Sequence, residues 1–195
     1  MASIVVYCGS STGTDPAHAR VAEELGAELV RHGHELIYGG GHVGLMGIVA
    51  DAVLAAGGRA TGVITEQLRD LEVAHTGLTA LEVEATMHAR KARMAALADA
   101  AIVLPGGFGT YEEAFELLTW NQLGIVSAPV VFVDVGGFYA PLLAFVDRAV
   151  EAGFVRPDHG ALARRATTAA EAVEAASAPA DEYVPKWVGG APGAT

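Results

Sequence analysis

The sequence is short of cysteine, of basic residues and of long apolar runs. Its 195 residues include one cysteine, Cys8, so a disulfide within the chain is excluded and a reducing compartment, the cytoplasm, is favoured. Lysine and arginine total 12 against 23 acidic residues. With no basic stripe, we expect no nucleic-acid partner. No apolar run reaches the ~18–20 residues of a membrane helix, and the start does not resemble a signal peptide, so we expect no membrane partner.

What the sequence does contain is a regular alternation of apolar runs and helical patterns. Hydrophobic residues make up 52% of the chain, which is typical of a globular protein. The pattern predicts an α/β fold, namely a doubly wound, mostly parallel sheet with helices on both faces, as in Rossmann-like proteins. We expect one domain over residues 1–180 and an irregular tail over 181–195, in which Trp187 packs on a neighbouring element. The predicted strands are residues 4–8, 36–38, 60–64, 81–83, 101–104, 130–133 and 162–166.

A glycine-rich stretch at residues 105–113 is the part of the chain best suited to hold a ligand. It reads Pro-Gly-Gly-Phe-Gly-Thr-Tyr-Glu-Glu and joins a predicted strand to a helical pattern. Gly106, Gly107 and Gly109 have no Cβ, so their backbone N–H groups can approach a ligand closely. The start of the helix adds unpaired N–H donors, with Thr110 as a plausible cap. This combination suits an anionic group such as a phosphate.

Two carboxylates, Glu112 and Glu113, close this stretch. The pattern places them in the first turn of the helix that continues over residues 114–123, where an anion is stabilised by about 0.3–1 kcal/mol. Carboxylates beside a phosphate cradle indicate chemistry on a phosphorylated substrate. The alternative is a tight turn whose acidic residues merely favour the start of a helix.

Other turns follow other predicted strands. The turn at residues 39–44 fits G-x-G-x-x-G but comes after the second strand, where the dinucleotide fingerprint is not expected. We interpret Gly40 and Gly41 as a second place where backbone meets ligand; close helix–strand packing is the alternative. The polar stretch 65–77 predicts an irregular loop, in which composition alone makes Glu72 a solvated charge.

Basic side chains open the helix that precedes the glycine-rich stretch. Arg90 and Lys91 oppose the helix dipole at that position, which indicates a partner anion, either a ligand phosphate or Glu113. The alternative is that both are surface residues with only their aliphatic stems buried. The turn containing Ser10 follows the first strand. Because parallel strands point their carboxyl ends to one edge of a sheet, all these turns are expected to converge there.

Two motifs together resemble the Lonely Guy (LOG) family, the cytokinin-activating phosphoribohydrolases. Residues 105–113 match its P-G-G-x-G-T-x-x-E signature, and residues 87–94 match its M-H-x-R-K-x-x-M. The resemblance extends from Ile4 to about Pro185. It implies hydrolysis of the N-glycosidic bond of cytokinin riboside 5′-monophosphates, and in some members of AMP, to the free base and ribose 5-phosphate. It also implies a homodimer with sites near the interface.

The resemblance assigns roles to individual residues. Arg90 and Glu113 match the catalytic pair, and Glu72 matches a substrate-binding glutamate, which revises its interpretation as a solvated charge. The substrate-binding positions are Glu72, Lys91, Gly106, Gly107, Phe108, Gly109, Thr110, Tyr111, Glu112 and Thr119, to which we add Gly40, Gly41 and Ser10.

The sequence gives no sign of a cofactor or a metal. The seven histidines show no ligand spacing, and no lysine has an evident pyridoxal-phosphate setting, although proteins of this kind have been labelled lysine decarboxylases. A nucleotide-binding module without catalysis and a dinucleotide-dependent oxidoreductase are the rival functions. The preferred base, whether isopentenyladenine, zeatin or adenine, is left open.

Overall fold

A computed structural model describes residues 1–72 and 74–185. The side chain of Glu72 and the whole of Trp187, including its expected packing, lie outside the described part of the chain.

The fold is built on one parallel sheet. Its strands are β1 (Ser3–Tyr7), β2 (Glu35–Tyr38), β3 (Ala60–Thr65), β4 (Ala80–Glu84), β5 (Ala100–Val103), β6 (Val130–Val133) and β7 (Ala163–Ala166). The order across the sheet is β4-β3-β2-β1-β5-β6-β7, and every neighbouring pair is parallel. All seven predicted strands are confirmed. The central ones are visible in the sequence because strands covered on both faces form unbroken apolar runs.

Helices cover both faces of this sheet. They are α1 (Pro16–Arg31), α2 (Gly44–Ala55), α3 (Glu66–Glu72), α4 (Met87–Leu97), α5 (Phe108–Gln122), α6 (Ala140–Glu151), α7 (Pro157–Gly160) and α8 (Ala169–Ser177). On one face, α1, α2 and α8 bury residues such as Leu25, Val49 and Val173. On the other, α4 and α5 bury Met94 and Leu117. Within the described residues, no helix is both long and apolar enough to cross a membrane.

The sheet reverses its winding beside β1. The chain builds outward from β1 to β4, returns along α4, and resumes with β5 on the other side of β1. In such sheets the loops after the two strands at the reversal part and leave a crevice, which is the usual ligand site. Here the loops are joined at the base of the crevice, where the Gly9 N–H donates to the Pro105 carbonyl at 3.1 Å.

The prediction of an irregular loop over residues 65–77 is wrong for its first half. Residues 66–72, Glu-Gln-Leu-Arg-Asp-Leu-Glu, form α3. The polar composition suggested a loop, but Leu, Gln, Arg and Glu are all good helix formers, and two turns are too few for a clear apolar period. The short helix α7 was also not predicted, for the same reason of length.

Candidate active site

Two adjoining clefts open at the carboxyl edge of the sheet, over the reversal. One of about 410 Å³ is lined by Arg90, Glu112 and Glu113. The other, of about 530 Å³, lies over the loop after β1. They share Gly9, Ser10 and Gly107, so they form a continuous groove. One end carries acidic and basic side chains, and the other is lined mainly by glycine, serine and threonine residues of the loop after β1.

The floor of the groove is the amino end of α5. This helix begins at Phe108 with Gly107 as its N-cap, six residues before the predicted helical run. The first intrahelical bond runs from the Tyr111 N–H to the Gly107 carbonyl, so the N–H groups of residues 107–110 have no partner within the helix. These donors suit a phosphate.

The early start of α5 corrects two details of the sequence prediction. Thr110 is not the cap but a buried residue inside the helix. A Cβ placed on Gly106 would lie 2.1 Å from the Thr110 Oγ1, so the absence of a side chain at Gly106 lets the helix start against the strand. Glu112 and Glu113 fall in the second turn rather than the first, and the helix dipole therefore contributes little to their charge state.

An ion pair between neighbouring helices forms the polar end of the groove. The Arg90 Nη1 donates to the Glu113 Oε1 at 2.9 Å, and the Arg90 Nε donates to the Val63 carbonyl at 2.9 Å. The side chains are 8% and 15% exposed respectively. A guanidinium held from two directions has little rotational freedom, so it fixes the carboxylate that it contacts.

Burial governs the charge state of Glu113. It raises the pKa of this carboxyl above the ordinary 4.5, while the charge of Arg90 pulls in the opposite direction. A carboxyl with a raised pKa, sitting in a cleft beside a fixed cation, is a typical catalytic arrangement.

Lys91 forms ion pairs with two carboxylates of α5. Its Nζ contacts the Glu112 carboxylate and donates to the Glu116 Oε1 at 3.0 Å. Contact with Glu112 raises the pKa of Lys91. An amine held in its protonated form is unsuited to Schiff-base chemistry, and its action on a ligand would pass through the orientation of Glu112.

The apolar wall of the groove was missed by the sequence analysis. Cys8, Met46, Leu68 and Met87 line the smaller cleft beside Arg90. Leu68 lies on α3, which the prediction had treated as loop. The i, i+3 spacing of Leu68 and Leu71, which is typical of a helix, is the available signal, although two residues are too few to be decisive.

The glycine turn at residues 39–44 packs against residues of the site. Gly40 has a φ of +77° and sits where a Cβ would meet Leu81 at 3.1 Å, while Gly41 pairs with Ala74. In the described residues, neither glycine lines the groove. Close packing, the alternative left open above, accounts for Gly40.

Two neighbouring glycines, Gly39 and Gly44, leave space for residues of the site. A Cβ on Gly39 would come 2.5 Å from the Arg90 Nη2, and one on Gly44 would lie 2.2 Å from the Ser10 carbonyl carbon. The turn therefore leaves the space that the guanidinium and the Ser10 loop occupy.

The remaining predicted binding residues are dispersed. Phe108 stands at the mouth of the groove with 92% of its surface exposed. Tyr111 packs edge-on against Tyr139, with ring centroids 6.4 Å apart. Thr119 lies on the outer face of α5, where its hydroxyl donates to the Phe115 carbonyl at 2.7 Å. Glu72 is the last residue of α3.

Sequence comparison identifies the family. The model of a family described as "Possible lysine decarboxylase" matches residues 46–176. The chain is 48% identical to the cytokinin riboside 5′-monophosphate phosphoribohydrolase LOG of Oryza sativa subsp. japonica, over 94% of this chain and 74% of that one. The chain belongs to the LOG family. A second LOG relative, LOG7 of Arabidopsis thaliana, is 46% identical over 94% of this chain and 83% of its own.

Solved structures share the fold of this LOG family member at lower identity. The molybdenum cofactor carrier protein of Chlamydomonas reinhardtii aligns with a TM-score of 0.67 and 23% identity, over 89% of this chain and 94% of that one. The molybdenum cofactor binding protein of Rippkaea orientalis gives 0.68 and 18%, with the same coverage. Both confirm the Rossmann-like architecture.

Proposed function

We propose that the protein is a phosphoribohydrolase that splits cytokinin riboside 5′-monophosphates into the free base and ribose 5-phosphate. The observation that carries this is the juxtaposition of the Arg90–Glu113 pair with the unpaired N–H groups at the start of α5, in a chain 48% identical to a LOG enzyme. The buried free thiol of Cys8 fits work in the cytoplasm.

Phosphate binding depends on backbone rather than on side-chain charge. Arg90 and Lys91 are already paired with carboxylates, and the whole chain carries a formal charge of -11. The 5′-phosphate therefore lies on the N–H groups of residues 107–110, near the Ser10 loop. This orientation directs the ribose toward Glu112 and Glu113.

Glu113 then acts on the developing ribosyl cation. As the bond from C1′ to the base nitrogen breaks, its electron pair leaves with the base and positive charge grows on the sugar. The Glu113 anion stabilises this charge, orients the attacking water and accepts its proton, while the departing base takes up a proton from solvent. Arg90 holds the carboxylate in place.

The function is tested by incubating the purified protein separately with isopentenyladenosine monophosphate and with AMP. Chromatography then separates free base from intact nucleotide. Release of isopentenyladenine and an equal amount of ribose 5-phosphate supports the proposal, and the AMP reaction measures tolerance of an unmodified base. Tight nucleotide binding without release of base would instead favour a binding module.

We propose further that the protein is a homodimer with its sites near the interface. The outer faces of α5 and α6 carry an apolar groove of about 190 Å³ lined by Phe115, Thr119 and Phe145, and Phe145 is 67% exposed. An exposed apolar groove of this kind is typical of an interaction surface. A second copy would cover it and would account for a substrate-binding role of Thr119, which lies outside its own chain's groove.

Phe145→Glu is expected to convert the dimer to a monomer, because the new charge would have to be buried at the interface. Size-exclusion chromatography with light scattering measures the change in mass. Val83→Lys, an exposed apolar-to-charged change on the edge strand β4, is the matched control and leaves the mass unchanged. A Phe145→Glu protein of unaltered mass would contradict the interface.

The titration of Glu113 gives a further prediction. Since burial raises its pKa above 4.5, the acid limb of the kcat/KM profile is expected at a pH above this value, with activity lost as pH falls through the raised pKa. Arg90→Met removes the cation that lowers this pKa and moves the titration to still higher pH. NMR of the labelled Glu113 carboxyl measures both proteins directly; a midpoint at or below 4.5 in the unmodified protein would contradict the assignment.

A further inference from the structure

Three potential metal ligands meet at the glycine turn, and within the described residues none of them lines the groove. His42 lies in that turn, Asp51 lies on α2, and His75 lies in the loop between α3 and β4. Their ligand atoms are all within 4.8 Å of one another. In the part of the chain that the structure describes, this is the one group of three histidine, cysteine or carboxylate side chains so placed.

The sequence could not reveal this cluster, and the expectation of no metal site rested on spacing alone. The three residues come from separate elements, and the fold brings them together through the Gly41–Ala74 bridge and a bond from the His75 N–H to the Gly40 carbonyl at 3.0 Å. His42 and Asp51 are exposed, whereas His75 is buried, so one ligand is rigid and two face solvent.

Hydrogen bonds define the state of His75. Its Nδ1 accepts the Gly77 N–H at 3.0 Å, so the ring proton is on Nε2, which lies 2.9 Å from the Asp51 Oδ1. His42 stands edge-on to this ring, with centroids 5.4 Å apart. The Nε2 proton therefore occupies the space between a carboxylate and a second imidazole.

We propose that this cluster, the His42–Asp51–His75 site, binds a divalent transition-metal ion, with Zn²⁺ as the best match. Two imidazoles and one carboxylate are suitable donors for Zn²⁺, and water completes a tetrahedral site. The ion takes the place of the Nε2 proton. The exposed His42 ring and Asp51 carboxylate close around it to the usual ligand distances of about 2.0–2.2 Å.

Metal binding at His75 requires its ring to change tautomer and the neighbouring peptide group to rotate. When Nε2 binds the metal, the neutral ring carries its proton on Nδ1, so the ring changes tautomer without net proton release. A ligating histidine donates its other N–H to an acceptor, but Nδ1 now faces the Gly77 N–H. Rotation of the peptide between Thr76 and Gly77, which lie in a turn, presents the Thr76 carbonyl instead. Glycine tolerates the positive φ that this rotation requires.

The ion would connect three segments that support the groove. They are the glycine turn behind Ser10, helix α2, and the loop that follows α3 with its groove residue Leu68. Within the described residues, none of the three ligands lines the groove. The ion therefore stabilises the fold around the site and takes no part in the reaction.

The test uses the full chain without an affinity tag, freed of metal by a chelator and titrated with Zn²⁺ alone in a calorimeter. We expect one equivalent to bind per chain, and His42→Ala and Asp51→Asn each to weaken binding by at least about 10-fold. The matched control is His32→Ala, another exposed histidine, whose ring lies 6.2 Å from that of His34; it leaves binding unchanged. Zn²⁺ should also raise the unfolding temperature of the unmodified and His32→Ala proteins but not of His42→Ala.

Three outcomes would overturn the proposal. They are no stoichiometric uptake of Zn²⁺, equal affinity in His42→Ala and the unmodified protein, or loss of binding in His32→Ala. Because the readout is metal binding, these results are independent of whether the protein splits a nucleotide.

Discussion

Glu113→Gln is expected to lower kcat by at least about 100-fold, the usual loss when an electrostatic contact to a transition state is removed. The amide keeps an oxygen that can accept the Arg90 hydrogen bond, so the geometry of the pair is retained while the negative charge is lost. KM should change far less than kcat, because the phosphate cradle at the start of α5 is untouched.

The stability of the same variant separates catalysis from folding. Since the folded state raises the pKa of Glu113, the carboxyl favours folding below about pH 4.5 and this contribution is lost as pH rises through the raised pKa. At neutral pH the amide removes the cost of a buried negative charge, but it also leaves the buried Arg90 guanidinium without its anionic partner, so the unfolding temperature is measured beside turnover. Glu82→Gln, whose carboxylate pairs with Arg93, is the matched control with normal turnover. Near-normal turnover of Glu113→Gln would contradict the catalytic assignment.

Gly106→Ala is expected to damage both folding and activity. The added methyl group would lie 2.1 Å from the Thr110 Oγ1 and 2.9 Å from the Gly9 nitrogen, and neither atom can retreat, because Thr110 is buried and Gly9 is bonded to Pro105. Overpacking of this kind costs about 1–3 kcal/mol. Thermal unfolding measures the loss, which for a chain of this length is about 2–4 °C per kcal/mol.

Gly107→Ala is the informative comparison. A Cβ at this position meets nothing within 4 Å and faces the groove, so the free energy of unfolding should change by less than about 1 kcal/mol. The methyl group would nevertheless obstruct the approach of a phosphate to the backbone, and KM should rise. Equal destabilisation by the two substitutions, or an unchanged KM for Gly107→Ala, would contradict the proposed cradle.

The sequence predicted the strands well and the helix ends less well. Buried parallel strands form unbroken apolar runs, so β1, β5 and β6 were visible directly. The start of α5 was not, because Phe-Gly-Thr is a poor helix-forming segment. The segment is helical because Thr110 packs against Gly106, just after the end of β5. This is a tertiary contact, and the local sequence does not indicate it.

Within the site, local motifs identified the groups but not their relations. The two motifs pointed to Arg90 and Glu113, and the structure brings them to 2.9 Å. The G-x-G-x-x-G pattern could not distinguish ligand contact from packing, because both need a missing Cβ; only the position of Leu81 against Gly40 separates them. The His42–Asp51–His75 site lies beyond sequence reasoning, since its members come from three separate elements that only the folded chain brings together.

The central place of β1 has a consequence for biosynthesis. On one side it pairs with β2, about thirty residues later, and on the other with β5, whose register joins Ile4 to Ala100. A chain emerging from the ribosome can assemble the four strands β4 to β1 while the opposite side of β1 still lacks its neighbour. That bare strand edge is open to wrong pairing with other chains until β5 docks. The groove cannot form earlier, because its floor is the start of α5, which follows β5 in the chain.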